Sequence, residues 1–129
     1  MDDADLAVSQ VVQDTIWPRL QARSEVVEHG VVLDDVRSRW DRLGVRAELG
    51  IGRDEVVVGT VANFRAQKDY PNLLAAARIL ADREVPVRLV AVGQGPLEAE
   101  MRARHAELGL GDRVLLLGQR DDAVRVLGV

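Results

Sequence analysis

Short apolar runs alternate with segments of helical periodicity from Val56 to the end of the chain. The runs are 56–58, 87–92, which only Arg88 interrupts near its start, and 114–117. Apolar runs of this kind, such as the continuous β-branched 56–58, are typical of strands buried on both faces. Between the first two runs, Leu73, Leu74, Ala77, Leu80 and Ala81 form a helical stripe. Such alternation predicts an α/β fold with right-handed crossovers, in which helices cover both faces of a short parallel sheet. A doubly wound order would place the strands 3-2-1, with 56–58 as strand one.

The first 52 residues are organised differently. We expect a strand at 5–8, then a Ser9-capped helix to about residue 22 that Pro18 kinks or shortens, then a strand at 25–27. A helix is expected over 34–43, interrupted at Gly44, and Gly50 to Gly52 would form a linker. We therefore predict a domain boundary between 1–52 and 53–129.

Composition narrows the class of protein. The chain has 129 residues, 47% of them hydrophobic, and a net charge of −4, so it can form a core but lacks the basic face that nucleic acids require. No apolar run approaches the roughly 20 residues that span a bilayer. The N-terminus is acidic, unlike a secretory signal, and there is no cysteine. A cytoplasmic protein is the expectation.

Three polar residues, Asn63, Arg65 and Lys68, follow the first predicted strand. In an open parallel sheet this is the edge where ligands bind, and a helix N-terminus nearby favours anions. Asp69 is a candidate helix cap and Pro71 suits the first helical position. Lys68 is the only lysine among 17 basic residues, which favours a site that needs a compact ammonium. Compositional bias explains the same fact equally well.

The other candidate motifs give weaker indications of function. Gly93-Gln94-Gly95 suggests a dinucleotide-binding turn, but the third glycine of that fingerprint is replaced by Glu98. A tight turn between strand and helix is the simpler interpretation. The sequence has no P-loop. His29 and His105 lack ligand partners at metal-binding spacing, and no nucleophile–base pair is evident. No metal or cofactor is expected.

Several blocks, taken in order, resemble family 4 glycosyltransferases, which have the GT-B fold of two Rossmann-like domains. Three blocks resemble the first half of the C-terminal, donor-binding domain: GTVANFRAQKDYPNLLAAARIL, VRLVAVGQGPLEAEMRARHAELGL and DRVLLLGQRDDAVRVL. Upstream, ADLAVSQVV resembles the end of the acceptor domain, and SEVVEHGVVLDDV resembles the interdomain crossover. The resemblance implies a partial, truncated Rossmann-like domain. It also implies a cytoplasmic enzyme of bacterial type, membrane-peripheral when complete.

The resemblance also implies roles for particular residues. Lys68 stands where the family's lysine contacts the diphosphate of a nucleotide-sugar donor, whereas Asn63 stands where an arginine is common and Arg65 is displaced by two positions. Gly93 and Gly95 match a turn near the donor cleft. The segment of Gly118, Gln119 and Arg120 resembles the one that lines the base pocket.

The implied reaction is metal-free transfer of a hexosyl or related group with retention. The family's later glutamate motif and all but the end of its acceptor domain, with the catalytic histidine or acid, are not in the sequence. We therefore expect a piece that binds a nucleotide diphosphate weakly and transfers nothing alone.

Truncation would leave one edge of strand 56–58 bare. Open apolar edges recruit other chains, so we expect a homodimer or a swapped assembly unless the strand at 5–8 covers the edge. Two further hypotheses stay open. One is a non-catalytic α/β interaction module descended from a glycosyltransferase. The other is an unrelated nucleotide-binding protein, which the incomplete glycine fingerprint disfavours.

Overall fold

A computed structural model describes residues 5–129. The chain forms two compact units, residues up to 34 and residues 35–129. The second unit thus begins earlier than the sequence boundary at 52/53, and the assignment of 1–52 to an acceptor domain and crossover stays a prediction. Residues 1–4 of that segment lie outside the described part of the chain. Within residues 5–129, no helix is long and apolar enough to cross a membrane.

The first unit contains two short parallel strands. β1 (Asp5–Ala7) pairs with β2 (Ser24–Val26), and Ala7 lies opposite Val26. The Ser9 hydroxyl accepts a hydrogen bond from the Val12 amide at 3.2 Å and caps α1 (Gln10–Thr15). Pro18 begins a separate helix, α2 (Pro18–Gln21), because proline cannot donate to the turn before it. The predicted cap and the predicted interruption are therefore both confirmed.

Gly44 does not end a helix, contrary to the sequence prediction. α3 covers Leu33–Ser38, and a new helix, α4 (Arg42–Glu48), runs through Gly44. The Asp41 carboxylate accepts a hydrogen bond from the Gly44 amide at 2.9 Å. This N-cap starts α4 by satisfying an amide that has no partner within the helix, and such a cap is of the same order as the helix penalty of glycine.

A three-stranded parallel sheet forms the centre of the second unit. β3 (Val56–Val61), β4 (Val87–Val92) and β5 (Val114–Gly118) lie in the order β3-β4-β5. This confirms the predicted α/β class and the 3-2-1 order. The connecting helices are α5 (Tyr70–Asp82) and α6 (Glu98–Glu107), and α7 (Ala123–Leu127) follows β5. Single 3-10 turns occupy 66–68 and 111–113.

The central strand β4 supplies both cores, because successive side chains point to opposite faces. Leu89 and Ala91 pack with residues of α5 and α6, whereas Val90 and Val92 pack with Val126 of α7. Helices on both faces make the three-layer αβα arrangement. Met101 of α6 is fully buried, and Leu97 and Leu108 pack against the same core.

β3 is not buried on both faces, contrary to the sequence prediction. Val56 and Val58 are 58% and 45% exposed. The reason is position: β3 is an edge strand, with β4 on one side and no described strand on the other. β1 pairs with β2 in a separate sheet and does not extend this one. The apolar run therefore identified the strand correctly but not its burial.

Candidate functional site

The turns that follow β3, β4 and β5 meet at the carboxyl edge of the sheet. Backbone hydrogen bonds join them directly. The amide of Phe64 donates to the carbonyl of Gln94 at 3.0 Å, and the amide of Leu97 donates to the carbonyl of Phe64 at 3.2 Å. The amide of Gly93 donates to the carbonyl of Gly118 at 2.8 Å. The three turns therefore form one connected surface.

Two glycines allow this close approach. A Cβ at Gly93 would lie 2.0 Å from the carbonyl oxygen of Ala62, and one at Gly95 would lie 2.5 Å from that of Phe64. Gly93 also has a φ of +150°, which side chains rarely adopt. The glycine turn predicted from sequence is thus required for packing between the first and second turns. Its contact with a donor stays a prediction.

An aromatic pair supports the first turn, and sequence reasoning missed it. Phe64 and Tyr70 are buried and meet edge to face, with ring centroids 4.7 Å apart. The Tyr70 hydroxyl donates to the carbonyl of Ala62 at 3.1 Å, and burial raises the pKa of that hydroxyl. The sequence offers one signal of this aromatic pair: its single phenylalanine and its single tyrosine lie on either side of Lys68.

The start of α5 differs in detail from the prediction. Asp69 adopts a left-handed conformation, with φ 45° and ψ 46°, and its side chain makes no capping hydrogen bond. A side-chain N-cap requires extended backbone, so the left-handed turn excludes that role. Tyr70 takes the first helical position and Pro71 the second, which proline tolerates because the first-turn amides have no intrahelical partner. Lys68 ends the 3-10 turn just before this point.

Two adjacent open clefts share Asn63. The first, which we call the lysine cleft, has a volume of about 360 Å³. The second, the arginine cleft, has a volume of about 410 Å³. The lysine cleft is lined by Val61, Ala62, Asn63, Lys68, Val92 and Gly93, and the arginine cleft by Asn63, Arg65, Gln94, Gly95, Pro96 and Glu98. The structure thus brings five predicted site residues together: Asn63, Arg65, Lys68, Gly93 and Gly95.

Lys68 and Arg65 are exposed and, within residues 5–129, neither pairs with a carboxylate. The opposite edge of the sheet differs. There, Arg88 pairs with Glu55 at 3.0 Å, and Arg113 donates to the carbonyl of Val85 at 2.8 Å. Arginines at the amino edge are thus engaged in holding the fold, whereas the two cations at the carboxyl edge are available to an anionic ligand. Glu98, in the arginine cleft, is bound to Arg102 at 2.8 Å.

Of the segment predicted to line the base pocket, Gly118 to Arg120, only part lies beside the clefts. Gly118 adjoins Gly93 through its carbonyl, and Gln119 is exposed. The Arg120 guanidinium does not line either cleft. It forms a bidentate pair with Asp122, with both N···O distances 2.7 Å, and also contacts Glu48 at 2.8 Å. These carboxylates raise the pKa of Arg120, and their ion pairs balance the charge of the guanidinium within the fold.

The arrangement is suited to binding an anion. It offers two cations, an amide side chain and the N-terminus of a 13-residue helix on one edge, and such helix ends favour negative charge. In the described ranges, no three His, Asp or Glu residues lie close enough to hold a metal ion. Nor do the described residues of the two clefts include a nucleophile beside a base.

A family model described as "Glycosyl transferases group 1" matches residues 41–127. N-acetyl-alpha-D-glucosaminyl L-malate synthase of Bacillus anthracis is 31% identical over 90 residues, which are 69% of this chain and 23% of the relative. EpsF of Bacillus subtilis (strain 168) is 34% identical over 76 residues, 59% of this chain and 20% of that protein.

A crystal structure of Anabaena Alr3699/HepE in complex with UDP and glucose matches with a TM-score of 0.70 at 23% identity. The match covers 92% of this chain and 34% of that one, so the chain spans about a third of this solved structure. It spans less than a quarter of each curated relative named above. The fold is thus a partial Rossmann-like piece of a GT-B architecture, and the chain belongs to the group 1 glycosyltransferase family.

Proposed function

We propose that this chain provides the donor-diphosphate site of a retaining glycosyltransferase of the family 4 type. The donor would be a nucleotide-diphosphate sugar, and Lys68, Arg65 and Asn63 would bind its diphosphate. One observation carries the proposal: Lys68 and Arg65 lie at the carboxyl edge of the sheet, beside the Gly93–Gly95 turn, and have no carboxylate partner within residues 5–129. A cytoplasmic setting, membrane-peripheral in the complete enzyme, stays a prediction.

The chemistry of transfer suits these groups. When the sugar leaves, negative charge grows on the departing nucleoside diphosphate. Fixed cations and helix dipoles stabilise that charge more in the transition state than in the ground state. The Lys68 ammonium, the Arg65 guanidinium and the N-terminus of α5 would supply this stabilisation without a metal ion. The backbone of Gly118, Gln119 and Arg120 would border the base.

The family match and the solved relatives support a nucleotide-sugar ligand. Structures of Anabaena HepE were solved in complex with UDP and with UDP-glucose. Their likeness to this chain, at 23% identity, concerns the fold. The location of the diphosphate therefore depends on the residues described above, and direct binding measurements are needed.

Titration of UDP and GDP into the wild-type chain and Lys68→Ala tests the proposal. A charged hydrogen bond contributes about 1.5–3 kcal/mol, so the substitution should weaken binding about 10- to 150-fold. Low ionic strength is preferable because salt screens exposed charges. Calorimetry would measure the affinities.

Arg83→Ala is the matched control. Arg83 is exposed, has no carboxylate partner among the described residues, and lies at the far end of α5, about 20 Å along the helix from its start. It removes the same charge and should leave affinity unchanged. Lys68→Arg tests whether a compact ammonium is needed. Equal weakening by Lys68→Ala and Arg83→Ala would indicate a general charge effect and contradict the proposal.

The exposed edge of β3 favours a second candidate, a non-catalytic interaction module. Val56 and Val61 are 58% and 46% exposed. The Val56 and Ala62 amides donate to carbonyls on the β4 side, so the alternate residues Val57, Gly59 and Val61 direct their backbone groups to the open edge. An apolar cavity of about 90 Å³ lies between Val58 and α5. This edge would pair two copies as a homodimer or a swapped assembly.

A further inference from the structure

A cluster of two arginines and three carboxylates joins α4 to the turn after β5. We call it the α4–α7 cluster, and it consists of Asp41, Glu48, Arg120, Asp122 and Arg125. Asp122 contacts both arginines, but it lies between them in the segment that follows β5, with Arg125 in α7. Asp41 contacts Arg125 at 3.0 Å. α4 therefore ties the cluster to the segment before β3, in addition to the packing of α7 on the sheet through Val126.

Glu48 makes that connection to both arginines. Its Oε1 accepts from Arg120 at 2.8 Å and its Oε2 accepts from Arg125 at 2.8 Å. Outside the segment that follows β5, no other described residue contacts the Arg120 side chain through a hydrogen bond or an ion pair. Both carboxylate oxygens are used, so a neutral amide at this position could not serve both guanidinium groups as a charged acceptor.

α4 is a firm anchor for this contact. Val45 is fully buried, and the buried Arg46 donates to the carbonyl of Glu55 at 2.7 Å and to that of Gly52. These contacts fix the helix to the segment that leads into β3. Glu48 is consequently carried on an element whose position does not depend on the turn that it holds.

The turn of Gly118, Gln119 and Arg120 is held at its two ends. At one end the carbonyl of Gly118 accepts from the Gly93 amide, and at the other Arg120 binds Glu48. Gln119 lies between them, exposed and without a hydrogen-bond partner of its side chain in the part of the chain that the structure describes. The two contacts therefore flank this residue, on the side of β5 and on the side of α7.

We propose that Glu48 is a positioning residue that fixes the Gly118–Arg120 turn against the nucleotide, by holding Arg120 and Arg125 from α4. The inference rests on the proposed function. Glu48 acts through Arg120 and touches no ligand itself. Substitution of Glu48 should therefore affect binding of the base, which the turn would border. It should not affect binding of the diphosphate, which Lys68 and Arg65 would hold.

The test compares UDP with inorganic pyrophosphate on Glu48→Gln. Exposed ion pairs contribute little, so the fall in UDP affinity should be modest, about three- to fivefold. The affinity for pyrophosphate should stay at the wild-type value within the error of measurement, because the residues that would bind it, Lys68 and Arg65, are not in the turn. Glu107→Gln is the control: Glu107 pairs with Arg104 at 2.9 Å on the surface of α6, away from the turn. It should change neither affinity.

A double substitution gives the second readout. Because Glu48 holds Arg125 as well as Arg120, Glu48→Gln should weaken UDP binding less in an Arg120→Gln background, where only the Arg125 contact is left to lose, than in the wild type. Equal weakening of UDP and pyrophosphate by Glu48→Gln would indicate general loosening and overturn the inference, as would unchanged UDP affinity in a chain that binds UDP. If the wild-type chain binds neither ligand, the proposed function fails, and the inference fails with it.

Discussion

Two buried aromatic residues and two glycines shape the cation-bearing loop at the level of single residues. Phe64 and Tyr70 pack beneath the loop, and Gly93 and Gly95 let the neighbouring turn reach it. Lys68 and Arg65 are exposed, so the position of their charges depends on this support. The polar residues were found in the sequence because their chemistry is visible there. The aromatic support was missed because apolar residues signal burial and not location.

Gly95→Ala tests this support. A Cβ at Gly95 would lie 2.5 Å from the carbonyl oxygen of Phe64, so the two turns must separate. Overpacking of this kind costs about 1–3 kcal/mol. We expect the free energy of unfolding to fall by that amount in a urea titration. Gly59→Ala is the control, since its Cβ would make an ordinary 3.8 Å contact with Leu127. Equal stability of the two variants would contradict the account.

At the scale of elements, ion pairs fasten α4 to α7. Arg125 and Arg120 lower the pKa of Glu48, and Arg120 lowers the pKa of Asp122. A hydrogen bond from the Gly44 amide, followed by Arg125, lowers the pKa of Asp41. Carboxyl groups with lowered pKa values in the fold bind fewer protons there than in the unfolded chain. Their contribution to stability is therefore complete above the unfolded pKa and is lost as the pH falls through the folded pKa.

Acid should consequently lower the stability of the fold by protonating the carboxylates of this cluster. The unperturbed values are 4.5 for glutamate and 3.8 for aspartate, so the melting temperature should be flat near neutral pH and fall below about pH 4.5. Glu48→Gln should lower the melting temperature at pH 6 and show a smaller further loss towards pH 3. Glu107→Gln should follow the wild-type curve. Parallel curves for wild type and Glu48→Gln would show that the cluster does not contribute.

Element type was predictable from the sequence where periodicity was strong, and element detail was not. The strands at 87–92 and 114–117 and the α5 stripe agree with the structure within one residue. The errors have local causes. Gly44 is helical because Asp41 caps the helix from outside, and Asp69 is not a side-chain cap because its backbone is left-handed. Hydrogen bonds and dihedral angles of this kind produce no periodic pattern in the sequence.

At the scale of the whole molecule, the exposed edge of β3 is the surface through which we propose that two copies pair. The apolar run at 56–58 indicates burial on both faces, whereas the predicted strand order and truncation placed the same strand at a bare edge, where the structure has it. The order of strands predicted that three turns would share one edge, but not that Arg120 would turn away towards Glu48.

Light scattering after size exclusion tests the proposed assembly. Wild-type protein should form a dimer whose fraction rises with concentration, and Val56→Lys should reduce that fraction because charge on an edge strand opposes pairing. Ile79→Lys is the control, since Ile79 is similarly exposed, at 52%, but lies on α5. A wild-type monomer at every concentration measured would exclude pairing through β3.

The central claim is that a diphosphate binds at the carboxyl edge of the sheet, beside Lys68. Amide chemical-shift mapping of the labelled chain during a UDP titration tests it most directly. The account predicts that the chemical-shift changes concentrate in residues 62–70, 93–97 and 118–120. In Lys68→Ala, the same changes should need a higher UDP concentration. Shifts concentrated at the amino edge, around 52–55, 85–88 and 111–113, or no saturable shifts at all, would contradict it.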